Sequence, residues 1–188
     1  MIPKGRFPRG WWVAREVGLG LGVPARSESR CACANGPIGL RGNRAEGDPS
    51  GRPGTYLKSF DETRPLPYAE AGYGFPESGQ TVLNVTNGKL IRLLVDDEPF
   101  DLRYGEIHRH ERILDLRSGM LHRIVDWSSP AGGRITLRTS RLVSLTQRSL
   151  AARHHEATAV DPRRGVVQAG PGPDRARAAR AGDRRAPP

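Results

Sequence analysis

The sequence predicts an all-β chain, an antiparallel β-sandwich followed by a disordered basic tail. Three observations predict it. Apolar side chains alternate with a period of two between 135 and 145. Short apolar runs recur through 27–150 with turn signals between them, at the spacing of about 8–12 residues typical of sandwiches and barrels. Gly and Pro together make up 39 of the 188 residues, which favours turns over long helices.

Residues 1–26 form a Gly- and Arg-rich extension, with at most a short helical turn around Trp12–Val17. Residues 27–152 hold the predicted sandwich. Within it, Thr81 to Val85 reads as a strand leading across Thr86-Asn87-Gly88 into a second strand, Leu90 to Val95. The Asn-Gly pair suits a tight hairpin turn. Asp96-Asp97-Glu98-Pro99 forms the exit from that strand. Arg112 to Leu116 is the next strand and turns at Ser118-Gly119 into Leu121–Trp127, whose Leu121, Arg123, Val125 and Trp127 share a face. The loop Ser128 to Gly133 then leads to the clearest strand of all. There Ile135, Leu137, Thr139, Arg141, Val143 and Leu145 lie on one side, and Thr136, Arg138, Ser140, Leu142 and Ser144 on the other. A period of two is a strand, not a helix. Residues 153–188 read as a disordered tail: all eleven aromatic residues fall between Phe7 and Trp127, and beyond Val160, Val166 and Val167 the tail is mostly Ala, Arg, Gly, Pro and acid.

The net charge of +10 divides unevenly along the chain. Residues 1–50 contribute 8 basic and 4 acidic side chains, 51–150 contribute 14 and 12, and 151–188 contribute 8 and 4. The ends therefore hold +8 of the +10. Of the thirty basic residues only Lys4, Lys58 and Lys89 are not Arg. Charge spread over irregular ends attracts polyanions without specificity, so no sequence-specific nucleic-acid partner is expected. A mean hydropathy of −0.56 and the absence of any long apolar run argue against a membrane-spanning helix. Arg15 and Glu16 cut the apolar run Trp11–Ala14 too short for a signal peptide, so a cytoplasmic location is expected.

Several residue groups invite a chemical reading. His108 and His110, at i and i+2, would share a face of a strand, with His122 as a third metal ligand; histidines on the solvent face of an edge strand are the simpler reading. Cys31 and Cys33 are too near for an unstrained disulfide and lack the second pair a zinc site needs, which leaves two buried thiols. Gly18-Leu19-Gly20-Leu21-Gly22 resembles a phosphate loop in composition only. Asn84-Val85-Thr86 is a glycosylation sequon that matters only in a secreted protein. Asp96, Asp97 and Glu98 are consecutive, which suits a solvated turn and not a facing catalytic pair. No catalytic, cofactor-binding or metal-binding residue is assigned, and no cofactor is implied.

As ordered segments, the central zone resembles the N-terminal domain of glycoside hydrolase family 65. The resemblance runs from GPIGLRGN at 36–43 and GTYLKSFDE at 54–62 through SGQTVLNVTNGKLIRLLVDDEPFDL at 78–102 and HERILDLRSGMLHRIVDWSSPAG at 110–132. It ends near RLVSLTQRSLAA at 141–152, and the resemblance extends to actinobacterial members of the family. The resemblance implies a galactose-mutarotase-like supersandwich followed, in the intact enzymes, by a catalytic (α/α)₆ barrel. It implies α-linked glucose disaccharides and phosphate as that enzyme's ligands, phosphorolysis or hydrolysis as its chemistry, and a homodimer as its assembly. The family pattern is lost after Ala152, which predicts a frameshift, a premature stop or a mispredicted gene and an incomplete sandwich, inactive alone and with an open edge; the alternative is a free-standing basic β-domain that binds polyanions or carbohydrate.

Overall fold

The computed structural model describes residues 11–20, 24–47, 51–67 and 72–170. Among them are twelve strands and one helix. In chain order these are β1 (Val13–Val17), α1 (Pro24–Arg30), β2 (Cys33–Ala34), β3 (Ile38–Leu40), β4 (Thr55–Pro65) and β5 (Ser78–Asn84), then β6 (Ile91–Val95) and β7 (Glu98–Pro99). The remainder are β8 (Glu106–Asp115), β9 (Met120–Ser128), β10 (Arg134–Val143), β11 (Ala151–Ala159) and β12 (Gly165–Ala169). They form three antiparallel sheets, ordered β1-β8-β9-β10-β11, β2-β3-β4-β5 and β12-β6-β7. The all-β expectation holds.

The five-stranded sheet is the foundation, and its alternation follows the sequence. Leu121, Arg123, Val125 and Trp127 of β9 are all buried, as are Ile135, Leu137, Arg141 and Val143 of β10. The register Leu137↔Val125 and Arg141↔Leu121 places these residues on one face. The two smaller sheets cover opposite ends of it. Leu93 and Val95 of β6, with Phe100 and Leu102, pack on Val125, Trp127, Ile135 and Leu137. Cys31, Cys33 and Leu40 pack on Leu114, Leu121 and Val143. Trp127 is fully buried, lies edge-on to Phe100 at 5.1 Å, and donates its Nε1–H to the Tyr104 carbonyl at 2.7 Å. Gly105 lies beside it with φ of +78°, where a Cβ would approach the Ser128 carbonyl oxygen to 2.2 Å. Only glycine fits that position.

Four expectations are corrected. The segment around Trp12–Val17 is strand β1, paired with β8 from Val13↔Asp115 to Val17↔Glu111, and not a helical turn. The pairing partner, absent from local sequence, decides it. The Asn87-Gly88 turn does not join β5 to β6 as a hairpin, because β5 pairs with β4 and β6 with β7 and β12. Asn87 Oδ1 instead accepts the Lys89 N–H, while the Lys89 ammonium is buried on the Gly54 carbonyl and the Thr55 hydroxyl. That anchor sends β6 to another sheet. The strand ending at Leu145 stops at Val143, and Leu145 is exposed. Finally, residues 153–169 of the predicted disordered tail include most of β11, which pairs with β10 over nine residue pairs, and all of β12, which pairs with β6. Small and charged residues can form strands when the neighbouring strand supplies the hydrogen-bond ladder. The tail expectation for 171–188 lies outside the described residues.

Trp127→Ala empties a fully buried position where the large sheet meets β6, Phe100 and Leu102. Its unfolding free energy should fall by about 3–5 kcal/mol, read from the urea midpoint, as for other buried Trp truncations.

Candidate functional site

Between the two apolar clusters, the inner face of the large sheet turns polar. Strands alternate there as elsewhere, but the inward residues are Glu16 on β1, His110 and Arg112 on β8, Arg123 on β9, and Arg141 on β10, all buried. Arg153 of β11 lies directly opposite Arg141. Register aligns this belt: Glu16↔Arg112, Arg112↔Arg123 and Arg123↔Thr139 are cross-strand partners. Above it lie α1 and the segment 41–46.

Two ion pairs hold the belt. Arg123 clasps Glu46 through two parallel bonds, Nη1 to Oε2 at 2.7 Å and Nη2 to Oε1 at 2.6 Å. Arg112 donates to Glu16 Oε2 from Nε at 2.9 Å and from Nη2 at 2.5 Å, and to the Gly42 carbonyl from Nη1 at 2.7 Å. The Ser27 hydroxyl of α1 completes this set by donating to Glu16 Oε1. The motif at 36–43 therefore has a structural meaning. Gly42 passes so close to Cys31 that a Cβ would meet its Cβ at 2.4 Å, and this close approach sets the Gly42 carbonyl onto Arg112. The Arg41 and Asn43 carbonyls accept from Arg141 at 2.9 and 3.1 Å.

Electrostatics follow from burial. His110 is pushed down to about 2, first by burial and then by Arg123 and Arg112. It is neutral, with Nε2 accepting from Arg123 at 3.4 Å and Nδ1 facing the Gly18 carbonyl at 3.3 Å. Burial would raise Glu46, but Arg123 outweighs it through charge and hydrogen bonding, bringing the carboxyl to about 2. Burial raises both Cys31 and Cys33, which are free thiols and poor nucleophiles.

The histidines do not converge. A register shift between Ile107 and Arg109 breaks the alternation that would have put His108 and His110 on one face. His108 is exposed and bonds the Ser128 hydroxyl at 2.8 Å, and His122 lies outside the belt on the Ser140 hydroxyl at 2.9 Å. The solvent-face reading is corrected for His110, which is buried on a strand flanked by β1 and β9. Among the described residues no group of three His, Cys, Asp or Glu could hold a metal ion. Asn84 of the sequon is occupied structurally: its Oδ1 accepts the Thr55 N–H and its Nδ2 donates to the Pro53 carbonyl. Gly18 has φ of +77° and bonds the His110 carbonyl, while residues 21–23 lie outside the described set. Asp96 has φ of 54° in the β6–β7 turn and pairs with Arg163. The belt is what sequence reading missed as a unit. Its signal was present, since Arg123 and Arg141 interrupt faces that are otherwise mostly apolar. Among the described residues, no helix is long and apolar enough to cross a membrane.

The inner belt is thus satisfied largely by the fold itself, and these features define a β-domain whose buried polar groups tie the large sheet to α1 and the segment 41–46. The chain belongs to the family described as glycosyl hydrolase family 65, N-terminal domain, whose model matches residues 15–184. That match extends past Ala152, beyond the segments that carry the resemblance. An uncharacterized glycosyl hydrolase of Mycobacterium tuberculosis is 59% identical over 161 residues, covering 86% of this chain and 20% of that protein. The α,α-trehalose phosphorylase of Thermoanaerobacter brockii is 41% identical over 150 residues, covering 78% of this chain and 19% of that protein. A solved chain from the human microbiome, provisionally named a kojibiose phosphorylase, superposes with a TM-score of 0.73 at 26% identity, over 84% of this chain and 21% of that one. The chain spans about a fifth of the length of the curated relatives it matches.

Two outcomes test the belt. Glu46→Gln keeps the shape but strands the Arg123 charge, and should cost about 3 kcal/mol in chemical unfolding, the range for breaking one side of a buried pair. For pH, His110 is depressed below its unfolded value of 6.5 and Glu46 below 4.5. The unfolded chain therefore binds more protons in acid. Stability from His110 is complete above pH 6.5 and falls as pH drops from there towards 2; Glu46 adds its own loss below 4.5. Melts from pH 7 to 5 should show a loss of about 1.4 kcal/mol per pH unit below 6.5, and His110→Gln should flatten that slope.

Proposed function

We propose that these residues are the N-terminal β-domain of a disaccharide phosphorylase or hydrolase of carbohydrate metabolism, structural in role and inactive alone. The observation that carries this reading is the match over residues 15–184 to a family whose relatives here include a trehalose phosphorylase and a maltose phosphorylase, each about five times longer than the matched segment. In this reading catalysis belongs to a helical barrel outside these residues, and the α-linked glucose disaccharide and phosphate bind there. The surface supports a role in contact with further polypeptide: Phe60 on β4, Val82 and Leu83 on β5, and Val166 and Val167 on β12 are all exposed. Apolar side chains on adjoining strands mark docking surfaces more often than free ones.

Incubated with phosphate and trehalose, maltose or kojibiose, the purified chain should release neither glucose nor glucose 1-phosphate. Turnover that a point substitution within the chain abolishes would overturn the reading. A chimera carrying residues 15–169 in place of the matching segment of the T. brockii trehalose phosphorylase should keep trehalose phosphorolysis. An unfolded or inactive chimera counts against a shared domain role.

A further inference from the structure

We propose that the inner face between Arg141 and Arg153 is a binding site for a single halide-sized anion. The two arginines are direct cross-strand partners on β10 and β11. Like charges placed opposite one another on a sheet repel, and burial strengthens the repulsion. Arg141 is 7% exposed, and its bonds run only to the neutral carbonyls of Arg41 and Asn43. Arg153 donates from Nη1 to the Lys89 carbonyl, and its buried Nε–H has no acceptor. Neither has a carboxylate partner among the described residues: Glu16 is committed to Arg112 and Glu46 to Arg123. A guanidinium does not shed its proton at neutral pH, so the face carries two like charges with no carboxylate in direct contact.

A cavity of about 20 Å³ opens beside these side chains, lined also by Asn43, Arg123 and Thr139. Its volume suits one water or one halide ion and is too small for a tetrahedral oxyanion or a sugar. Asn43 Oδ1 is a second unmet polar atom in this lining. A half-turn of the carboxamide would present N–H donors in its place, at the expense of the 3.3 Å bond its Nδ2 donates to the Arg44 carbonyl. A monovalent anion would then meet guanidinium donors from two strands and neutralise the repulsion between them, where a water would supply no charge.

The test is thermal unfolding of the chain at constant ionic strength while chloride replaces methanesulfonate, which is too bulky for the cavity. Tm should rise saturably, by about 3–5 °C once chloride reaches tenfold over its Kd, as linkage to one bound ion requires. Arg153→Met, which keeps the aliphatic stem, should melt independently of chloride. Should that variant not fold, crystals of the wild-type chain grown in bromide decide the matter: an anomalous peak within hydrogen-bonding reach of both guanidinium groups supports the site. No difference between chloride and methanesulfonate, an equal chloride response in Arg153→Met, a larger response to phosphate than to chloride, or no bromide peak would each overturn it.

Discussion

Arg123 reaching Glu46 through two parallel bonds is the interaction on which the rest of the structure depends. It rises from the centre of the five-stranded sheet, and its partner comes from the loop that follows the family-typical segment at 36–43. Without that carboxylate, a guanidinium buried to the level of a core leucine would face like charges on both sides along the belt. With it, the polar middle of the sheet becomes a tie between layers. The Glu16–Arg112 pair repeats the solution one strand over and draws α1 into the same network through Ser27.

This arrangement explains why the interior divides into two apolar clusters instead of one. The clusters occupy the ends of one sheet face, each beneath its own smaller sheet. Ion pairs between them contribute direction more than net free energy, because desolvation offsets much of their attraction. A slip of one residue in β8, β9 or β10 would turn the arginines outward and the outer polar residues inward, so the belt also enforces register. Stability and specificity are thereby carried by different parts of one face.

The same network bears on function. Most of its charged groups are engaged in mutual contacts, while His110 is kept neutral and burial raises both thiols. In the proposed reading, a domain organised in this way holds a shape for other polypeptide to use. The exposed apolar residues of β4, β5 and β12 lie on the smaller sheets, away from the belt, where such contact would leave the interior undisturbed.

Strand identity across 121–143 and the family were legible from the chain itself, because side-chain alternation and ordered motifs are local properties. Leu121, Val125, Trp127, Ile135 and Leu137 face inward as their period requires. Long-range pairing was not legible. Whether Val13–Val17 is helix or strand depends on β8, almost a hundred residues away, and β11 exists because β10 offers it a hydrogen-bond ladder. The same holds for β5, whose partner is β4 and not the strand its Asn-Gly turn pointed towards. An arginine on an apolar face can be read from sequence, but which carboxylate meets it cannot. That choice is made by layers closing over one another, since the cost of a buried charge becomes real only once water is removed.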